Sequence, residues 1–539
     1  MQARLQFRTA RPSFCALALA GVLAMSPMAA QALATCPNIL AIGGIIYSSG
    51  TTVYNIPVPD TECQSQIKAN TTVTINTGTV QVIVPNLYVL TYPTPSATPG
   101  HYSLFAQSHP NNGMQVVTMA PAAVMTGDAS GLVLQDTTGA ALATRDINIQ
   151  QGGNIVAIGT YDYSLRSQYV AGASDNGLYV DDLLTRLNLQ PGESLTLTEN
   201  DPLPNPNDPS DTNDMAAQLT GTGNLIVAAN DTVALSNTNN TFTGTTEVTS
   251  GTLLASAANV IATSSAVTLD ASTTFDTGGY DQSLNNLNGD AASNILLSND
   301  DTLTLNGASA DAGVISGAGA LTVASGTTTL SGADTYTGAT TVDGGATLAA
   351  GADNTFSASS DDTVASAGTL NLQATDETVG SLTNAGTVNM GTAAPASPGK
   401  TLTTSGDYTG SGGTLVMGGA LDGVGATDLL HVAGDTSGTT VINYTGSSGA
   451  ATTGDGILVV QVDGASNGTF TLPGGSLTVD GLKYVLVKGT ANPNNWYLQV
   501  FVPQSSGAAA PIPALSETAL ALLAALLGLS AAALNRRGR

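Results

Sequence analysis

Three pairs of adjacent aspartates are the residues whose type and spacing come nearest to a catalytic arrangement: Asp181-Asp182, Asp300-Asp301 and Asp361-Asp362. Two carboxyl groups that face one glycosidic bond can cleave it, one as an acid and the other as a base or nucleophile. Adjacent residues of a strand point to opposite faces, however, so such a pair does not present both carboxylates to one substrate. We therefore interpret these aspartates as polar turn residues and expect no catalytic residues.

Metal and cofactor sites are not predicted either. The three histidines are scattered, without the spacing of a metal-ligand motif: His101, His109 and His431. Three aspartates are spaced faintly like a calcium-binding loop: Asp208, Asp211 and Asp214. The glycine and the terminal glutamate of an EF-hand are missing, so we interpret this stretch as a solvated loop. The sequence thus predicts no cofactor, no metal and no enzymatic activity.

The composition argues against nucleic acid as a partner. The formal net charge is −26, and the body between the two termini has few basic residues: Lys68, Arg145, Arg166, Arg186, Lys400, Lys483 and Lys488. Such an acidic body cannot make the Lys and Arg contacts to phosphates that nucleic-acid binding requires. Charged residues are only 10% of the chain and there are 61 glycines. This mixture suits a narrow β-coil filled by Val, Leu, Ile and Ala.

A recurring block predicts the elements that position these residues. The sequence TFTGTTEVTSGTLL (241–254) returns as TYTGATTVDGGATL (335–348), with a shorter echo, DYTGSGGTLVM, at 407–417. Each copy has an aromatic residue followed two positions later by a glycine: Phe242 and Gly244, Tyr336 and Gly338, Tyr408 and Gly410. Short β-prone stretches separated by Gly and Asn are typical of strands stacked in a solenoid. About 20 residues per coil would give about ten rungs over 215–427, a stack on the order of 50 Å long.

The predicted fold class is all-β, a right-handed parallel β-helix with additional segments at both ends. We divide the chain into a signal peptide (1–34), an N-terminal β domain (35–203), an acidic Pro/Asn-rich linker (204–214), the β-helix (215–427), a C-terminal β cap (428–502), a second linker (503–511) and a sorting signal with a hydrophobic transmembrane helix (512–539). A cap is expected because the open end of a stack of strands invites pairing with other chains.

The N-terminus has the three parts of a signal peptide, namely basic residues, an apolar run and a zone of small residues. We predict export through the Sec machinery and cleavage after Ala32 or Ala34, with a lipoprotein box ending at Cys36 as the rival interpretation. Cys36 and Cys63 remain in the exported chain, which suggests one disulfide, with two free thiols as the alternative.

The C-terminus carries an uncharged run from Thr518 to Leu534, which as a helix would reach about 25 Å, a marginal membrane span. This tail resembles the IPTL-type sorting signals of Gram-negative bacteria through the following residues: Ile512, Pro513, Leu515, Ser516, Glu517, Arg536 and Arg537. Ala514 stands where Thr is usual, and Thr518 where Trp is usual. The resemblance implies transient retention in the inner membrane and processing by an exosortase-like enzyme.

The body resembles autotransporter passengers. Its repeats look like the autotransporter-associated β-strand repeat, and the segment from about 414 to 502 resembles the pertactin-type C-terminal passenger domain, which caps a β-helix and promotes its folding. The motif positions of that domain are Asp428, Val432, Gly434, Trp496 and Tyr497. Such passengers normally continue into a translocating barrel, and here the sorting tail stands in that place. We therefore do not expect the chain to secrete itself.

Together these features predict an exported, non-enzymatic protein of a Gram-negative bacterium, located at the cell surface, in the outer envelope or outside the cell. The family resemblance implies a role in adhesion, aggregation or a biofilm matrix, with an unknown surface glycan or protein as ligand. An envelope-associated polysaccharide hydrolase or lyase on the same scaffold is the alternative. A passenger remnant that has lost its function is a third possibility.

Overall fold

The computed structural model of the chain describes residues 140–198 apart from 174, 214–391 and 399–501. It also describes shorter segments between 45 and 135 and the single residues Leu522 and Ala525. Apart from Leu522 and Ala525, helical structure in these parts is confined to short turns such as α1 (Leu104–Gln107) and the 3-10 turn at Pro473–Gly475. The all-β class predicted from composition is therefore confirmed.

The strands of the N-terminal region are β1 (Ile45–Tyr47), β2 (Thr51–Asn55), β3 (Ser65–Ile67), β4 (Thr72–Ile75), β5 (Gly78–Ile83), β6 (Leu87–Val89), β7 (Gly113–Met119), β8 (Val124–Thr126), β9 (Leu132–Gln135), β10 (Thr144–Gln151), β11 (Asn154–Gln168) and β12 (Gly177–Leu189). The long strand β11 pairs antiparallel with both β10 and β12, and β12 pairs antiparallel with β7. This antiparallel sheet lies within the predicted N-terminal β domain.

The strands between 194 and 389 are β13 (Ser194–Leu197), β14 (Asp214–Met215), β15 (Gln218–Gly221), β16 (Asn224–Leu235), β17 (Thr246–Ala255), β18 (Val267–Leu269), β19 (Thr274–Asp276), β20 (Gln282–Asn285), β21 (Leu287–Gly289), β22 (Asn294–Leu297), β23 (Thr302–Asn306), β24 (Ala308–Asp311), β25 (Val314–Gly317), β26 (Ala320–Val323), β27 (Thr327–Leu330), β28 (Thr340–Val342), β29 (Thr347–Ala350), β30 (Asp362–Val364), β31 (Thr369–Asn371), β32 (Glu377–Val379), β33 (Leu382–Asn384) and β34 (Thr387–Asn389). They form the central ladder except for β15, which pairs with β12, and β32, which begins a second sheet. Alternating sequence explains these strands. In β23, Leu303 and Leu305 are fully buried, whereas Thr304 between them faces outward. Val, Leu, Ile and Thr favour this half-buried pleated surface.

Pairing between strands one coil apart makes the ladder a parallel β-helix. Phe275 of β19 pairs in parallel with Ile295 of β22, which pairs with Ile315 of β25, so each step advances 20 residues (295 − 275 and 315 − 295). All three side chains are fully buried. The predicted coil of about 20 residues with inward apolar columns is therefore present.

One column of inward residues crosses ten successive rungs between 215 and 427: Leu225, Thr246, Val267, Leu287, Ser309, Thr328, Leu348, Leu370, Val388 and Leu415. The step from Leu287 to Ser309 is a hydrogen bond from the Leu287 N–H group to Ser309 Oγ. Nine steps at about 4.8 Å give a stack about 43 Å long. Towards the N-terminus, β13 pairs in parallel with β16 and β15 pairs in parallel with β12. The ladder thus includes a strand from the region assigned to the N-terminal β domain, and the two parts are joined without a break in pairing.

The C-terminal strands are β35 (Thr401–Thr404), β36 (Tyr408–Leu421), β37 (Leu429–Val432), β38 (Thr436–Gly449), β39 (Ile457–Val462), β40 (Thr469–Thr471), β41 (Leu477–Val479), β42 (Leu482–Lys488) and β43 (Trp496–Val500). A second sheet runs in the order β32-β35-β37-β39-β43-β42-β41. Its first members pair in parallel, like the coil, but β39, β43, β42 and β41 pair antiparallel. This change of direction ends the parallel stack, as a cap must.

Two predictions about the fold are not tested by these residues. The right-handed sense of the coil stays a prediction from the general preference of parallel crossovers. The predicted hydrophobic helix within 512–539 lies outside the described residues except for Leu522 and Ala525, which are both helical. No helix in the described part of the chain has the length and apolar character needed to span a membrane.

Candidate functional site

In two of the aspartate pairs, one residue is exposed and its neighbour is buried. Asp300 and Asp361 are exposed, whereas their neighbours Asp301 and Asp362 are 3% and 4% exposed. Asp362 lies in β30 within an inward column between Thr340 and Leu382. The interpretation of all these aspartates as turn residues is therefore wrong, while the argument that a pair cannot serve one substrate holds.

Burial changes the acidity of these inward carboxyls. Desolvation raises the pKa of Asp362 to about 7, against hydrogen bonds from Ser360 and Thr340 that lower the pKa. Desolvation also raises the pKa of Asp301, which accepts the hydroxyl hydrogen of Thr277. Each carboxyl is enclosed by the coil, so its perturbed pKa does not mark a site that a substrate could enter.

The first pair, in β12, has a cationic partner. The guanidinium of Arg166 makes two hydrogen bonds to Asp181, from Nε at 2.9 Å and from an Nη atom at 3.1 Å. The same guanidinium lies over the ring of Tyr179, 4.3 Å from the ring centre. This cluster crosses from β11 to β12 and fixes their pairing, which is a structural role.

The repeat motif marks close contacts between coils. Phe242, Tyr336 and Tyr408 are at most 1% exposed and fill the coil interior. A Cβ atom added to Gly244 would overlap the carbonyl oxygen of Gly223, and one added to Gly338 would overlap the carbonyl oxygen of Gly319. At Gly410, the overlap would be with Thr440 Oγ1 and the backbone of Thr439. The motif glycines are therefore required by the approach of one coil to the next.

Asp428 joins three backbone segments at the start of the predicted cap. It is 4% exposed, and its Oδ1 atom accepts the N–H groups of Gly399 and Lys400, each at 3.1 Å. Its Oδ2 atom accepts the N–H group of Gly418 at 2.8 Å. A carboxylate that receives three backbone donors holds these strand ends together. The motif residue Val432 lies near Asp428 in sequence, fully buried on β37 between β35 and β39.

Aromatic side chains close the coil beneath the cap. The rings of Tyr408 and Phe470 stack with centroids 5.9 Å apart, and Phe470 meets Trp496 edge-on at 5.6 Å. The indole N–H of Trp496 donates to Ser466 Oγ at 3.2 Å. Lys488 lies over the indole ring at 5.3 Å. The repeat residue Tyr408 and the cap residue Trp496 are thus brought together by Phe470, which the sequence argument did not identify.

Ser466, His431 and Tyr497 of the cap also make structural contacts. Ser466 is the central residue of a Gly-x-Ser-x-Gly pattern at 464–468. Its hydroxyl oxygen accepts the indole hydrogen of Trp496, and no helix follows it, whereas a nucleophilic serine of this pattern lies between a strand and a helix. His431 Nε2 lies 3.0 Å from Oδ2 of Asp463, the residue that follows the neighbouring strand β39. Tyr497, in β43, is 8% exposed and pairs with Leu458 of β39. In the described part of the chain, no three His, Cys, Asp or Glu side chains gather as a metal site would require.

The outer surface of the coil carries a regular row of hydroxyl groups. Eight outward residues follow one another on successive rungs, and we call them the hydroxyl column: Ser283, Thr304, Thr322, Thr341, Thr363, Thr383, Thr409 and Ser437. All are half-exposed or exposed. A second threonine column lies on another set of strands: Thr327, Thr347, Thr369, Thr387 and Thr414. Successive hydroxyls repeat at about 4.8 Å, the spacing of the rungs.

The coil is also uniform in charge. From 187 to 399 the sequence contains no Lys, Arg or His, although it contains many Asp and Glu residues. Lys400, the next basic residue, lies 3.4 Å from Asp376 and 3.7 Å from Asp353. The long side of the coil therefore presents hydroxyl, amide and carboxylate groups and no cation.

Several predicted positions lie outside the described residues. They are the signal-cleavage residues Ala32 and Ala34, the cysteines Cys36 and Cys63, the histidines His101 and His109, and the sorting-signal residues Ile512, Pro513, Leu515, Ser516, Glu517, Arg536 and Arg537. Cleavage, disulfide formation and processing of the tail stay predictions.

Comparison with protein families identifies two segments in the C-terminal part of the chain. Residues 377–497 match the model of the Autochaperone Domain Type 1, and residues 510–537 match the IPTL-CTERM motif. The autochaperone match begins at β32, the first strand of the second sheet, and reaches Tyr497 in β43. It contains all five predicted cap residues.

Several known proteins are similar to parts of the chain. The chain is 33% identical to the Escherichia coli (strain K12) protein YuaQ over 48% of this chain and 18% of YuaQ. It is 38% identical to the Adhesin BmaC autotransporter of Brucella suis biovar 1 (strain 1330) over 18% of this chain and 3% of that protein. The solved Haemophilus influenzae Hap adhesin aligns with a TM-score of 0.32 and 15% identity, over 82% of this chain and 60% of that chain.

The two longest of these alignments, to YuaQ and to the E. coli lipoprotein YdeK, cover 262 and 295 residues. The chain spans only about a fifth of the length of these relatives, 18% of YuaQ and 21% of YdeK. The matches to the autochaperone domain, the IPTL-CTERM motif and an autotransporter adhesin agree with the parallel coil and its antiparallel cap. The chain is thus similar to autotransporter passengers, and its residues 510–537 match an IPTL-type sorting signal.

Proposed function

We propose that the protein is an exported, non-enzymatic adhesion protein of the bacterial cell surface, in which the long side of the β-helix is the adhesive surface. The observation that carries this proposal is the hydroxyl column, which repeats one weak hydrogen-bonding group over eight rungs. Many weak contacts along a rigid rod add up by multivalency, because each contact raises the effective concentration of the next. The similarity to an adhesin-type autotransporter supports the same role.

The geometry does not favour the alternative, a polysaccharide hydrolase or lyase. A hydrolase needs two carboxyl groups on opposite sides of one bond within a cleft, and the coil from 187 to 399 has no Lys, Arg or His with which a lyase could bind an acidic polysaccharide. In the described pairs at 300–301 and 361–362, one carboxyl is exposed and the other is enclosed in the coil. The carboxyl of Asp181 is bound by Arg166.

The adhesive surface can be tested in cells that lack the gene and are complemented with variants. A column variant carries Thr322→Val, Thr341→Val and Thr363→Val, which remove hydroxyls while keeping β-branched side chains of strand type. The matched control carries Thr327→Val, Thr347→Val and Thr369→Val in the second threonine column. We expect the column variant to lower cell aggregation and biofilm mass about tenfold or more, and the control, which interrupts a shorter row of five threonines, to have a smaller effect.

Equal behaviour of the two variants at equal surface abundance contradicts the proposed surface. Release of new reducing ends from envelope polysaccharides by the purified protein contradicts the non-enzymatic role. A passenger remnant without function predicts no change in aggregation when the gene is deleted, so that result also contradicts the proposal.

We further propose that the C-terminal tail holds the chain transiently in the inner membrane until an exosortase-like enzyme processes it. The match of residues 510–537 to the IPTL-CTERM motif supports this step. Mass spectrometry of the termini of the surface-located protein tests it. The proposal expects an N-terminus after Ala32 or Ala34 and loss of the segment that contains Arg536 and Arg537. An intact C-terminus on the surface-located protein contradicts it.

A further inference from the structure

Two carboxyl groups lie inside the coil in the middle of the ladder. Asp311, at the end of β24, is 1% exposed, and Asp334 is 6% exposed. Asp311 occupies an inward column between Gly289 and Leu330. A Cβ atom added to Gly289 would overlap Asp311 Oδ1, so the absence of a side chain at Gly289 provides the space for this carboxyl.

Each carboxyl has one satisfied oxygen and one that is unsatisfied. Asp311 Oδ1 accepts the N–H group of Gly313 at 3.1 Å, and Asp334 Oδ1 accepts the N–H group of Ile315 at 2.8 Å. The other oxygens, Asp311 Oδ2 and Asp334 Oδ2, have no hydrogen-bond partner among the described residues. The two carboxyls therefore bind the backbone on either side of Val314, the first residue of β25.

No cation compensates these acids. The titratable groups that interact with Asp334 are Asp311, Tyr336 and Glu377, and the group that interacts with Asp311 is Asp334. All of them carry negative charge when ionised, and no Lys, Arg or His occurs between 187 and 399. A buried carboxylate without a cation or a full set of donors is strongly unfavourable, so the group stays protonated instead.

The acidity of both residues agrees with this geometry. Desolvation raises the pKa of Asp311 to about 6, against the hydrogen bond from Gly313. Desolvation, with a smaller contribution from the nearby acids Asp311 and Glu377, raises the pKa of Asp334 to about 8, against the hydrogen bond from Ile315.

We propose that Asp311 and Asp334 form a proton-dependent latch in the β-helix, which keeps the coils around β25 closed while both carboxyls are neutral and loosens them when the carboxyls ionise. The latch goes beyond the proposed adhesion role and does not depend on it. The coils around β25 are therefore fully closed only at a pH low enough to keep both carboxyls neutral.

The direction of the pH dependence follows from proton linkage. An aspartate in the unfolded chain has its ordinary pKa of about 3.9, whereas both latch residues hold their protons to higher pH in the folded coil. The folded state therefore binds more protons between these limits, and stability falls as the pH rises. The contribution is complete below about pH 4 and is lost as the pH passes through about 6 for Asp311 and about 8 for Asp334.

Hydrogen exchange of the full-length protein, followed by mass spectrometry and corrected for intrinsic exchange rates, tests the latch directly. The peptide that contains the Gly313 and Ile315 amides reports on the latch, and a peptide from β16 serves as internal reference. We expect protection of the latch peptide to fall at least about tenfold relative to the reference between about pH 5 and about pH 9, since one pKa unit corresponds to a tenfold change.

Two variants assign the effect. Asp334→Asn keeps an oxygen that accepts the Ile315 N–H but cannot ionise, so most of the pH dependence should disappear. Asp300→Asn, at an exposed position, should keep the wild-type profile. If Asp334→Asn does not fold, Asp311→Asn is measured in its place and should remove the part of the change centred near pH 6. A wild-type latch peptide whose protection does not change relative to the reference, or an Asn variant with the wild-type profile, overturns the proposal.

Discussion

The backbone N–H group of Asp435 donates to Asp407 Oδ1 at 2.8 Å, from one coil to the next. The contact is repeated one coil further on, where Asp435 Oδ1 accepts the N–H group of Ala465 at 2.7 Å. A Cβ atom added to Gly434 would overlap both Asp407 Oδ1 and the backbone of Gly406. The predicted motif residue Gly434 therefore allows Asp407 to reach the following coil.

This contact predicts a graded effect of substitution. Asp407→Ala should lower the free energy of unfolding of the cap by about 1 kcal/mol, the usual net value of one hydrogen bond. Gly434→Ala should cost more, about 1–3 kcal/mol, because the added methyl group must displace backbone. Denaturant unfolding measures both. Asp407→Asn keeps the acceptor and is the control, and an Asn variant as unstable as the Ala variant would refute this account of the contact.

Substitution of Asp428 should destabilise the cap more strongly than substitution of Asp407. Asp428→Ala leaves three N–H groups without their acceptor, those of Gly399, Lys400 and Gly418. A hydrogen bond to a charged acceptor contributes about 1.5–3 kcal/mol, so we expect a loss of at least about 3 kcal/mol or failure of the cap to fold. Limited proteolysis across 399–418 measures the effect. A variant with wild-type resistance would show that Asp428 does not hold these segments together.

The repeat glycines should matter only where two coils approach closely. Gly338→Ala places a methyl group against the carbonyl oxygen of Gly319 and should cost about 1–3 kcal/mol of stability. Gly391 is the matched control, because an added Cβ atom meets only the Ala374 side chain, at 3.9 Å. Thermal unfolding compares the two variants. Equal melting temperatures would contradict the close approach.

The aromatic closure can be followed through the single tryptophan of the chain. Phe470→Ala removes the ring between Tyr408 and Trp496 and should cost about 3–5 kcal/mol, with a red shift of Trp496 emission as water reaches the indole. Phe501→Ala is the control, since that ring is 49% exposed. If the two substitutions shift the emission and the unfolding midpoint alike, Phe470 does not close the coil.

The sequence was sufficient for features that depend on local pattern. The alternation of Thr with Val or Leu, and the aromatic-x-Gly motif, predicted strands of about 20-residue period, and the column from Leu225 to Leu415 has the predicted number of rungs. Such patterns repeat because each coil meets nearly the same neighbours as the one before.

Features that depend on contacts between distant segments were missed. Phe470 packs between Tyr408 and Trp496, which are far apart in the sequence. Asp407 accepts the backbone N–H group of Asp435, which lies 28 residues later. The buried acids left a readable signal. Asp301 alternates with Leu303 and Leu305, so the period of a strand places all three on one face. Asp334 lies outside the strands, yet burial alternates through it as well, since Asp334 and Tyr336 are buried and Thr335 between them is exposed.

Disulfide trapping measures the continuous parallel coil most directly. In a chain whose native cysteines are replaced by serine, cysteines are introduced at Thr322 and Thr341, which pair on adjacent rungs, or at Thr322 and Thr363, which lie two rungs apart. A disulfide needs Cα atoms about 4.4–6.8 Å apart, which fits one rung of about 4.8 Å and not two. We predict rapid oxidation of the first pair and none of the second within one molecule. Oxidation of the second pair alone, or of neither, would contradict the parallel ladder.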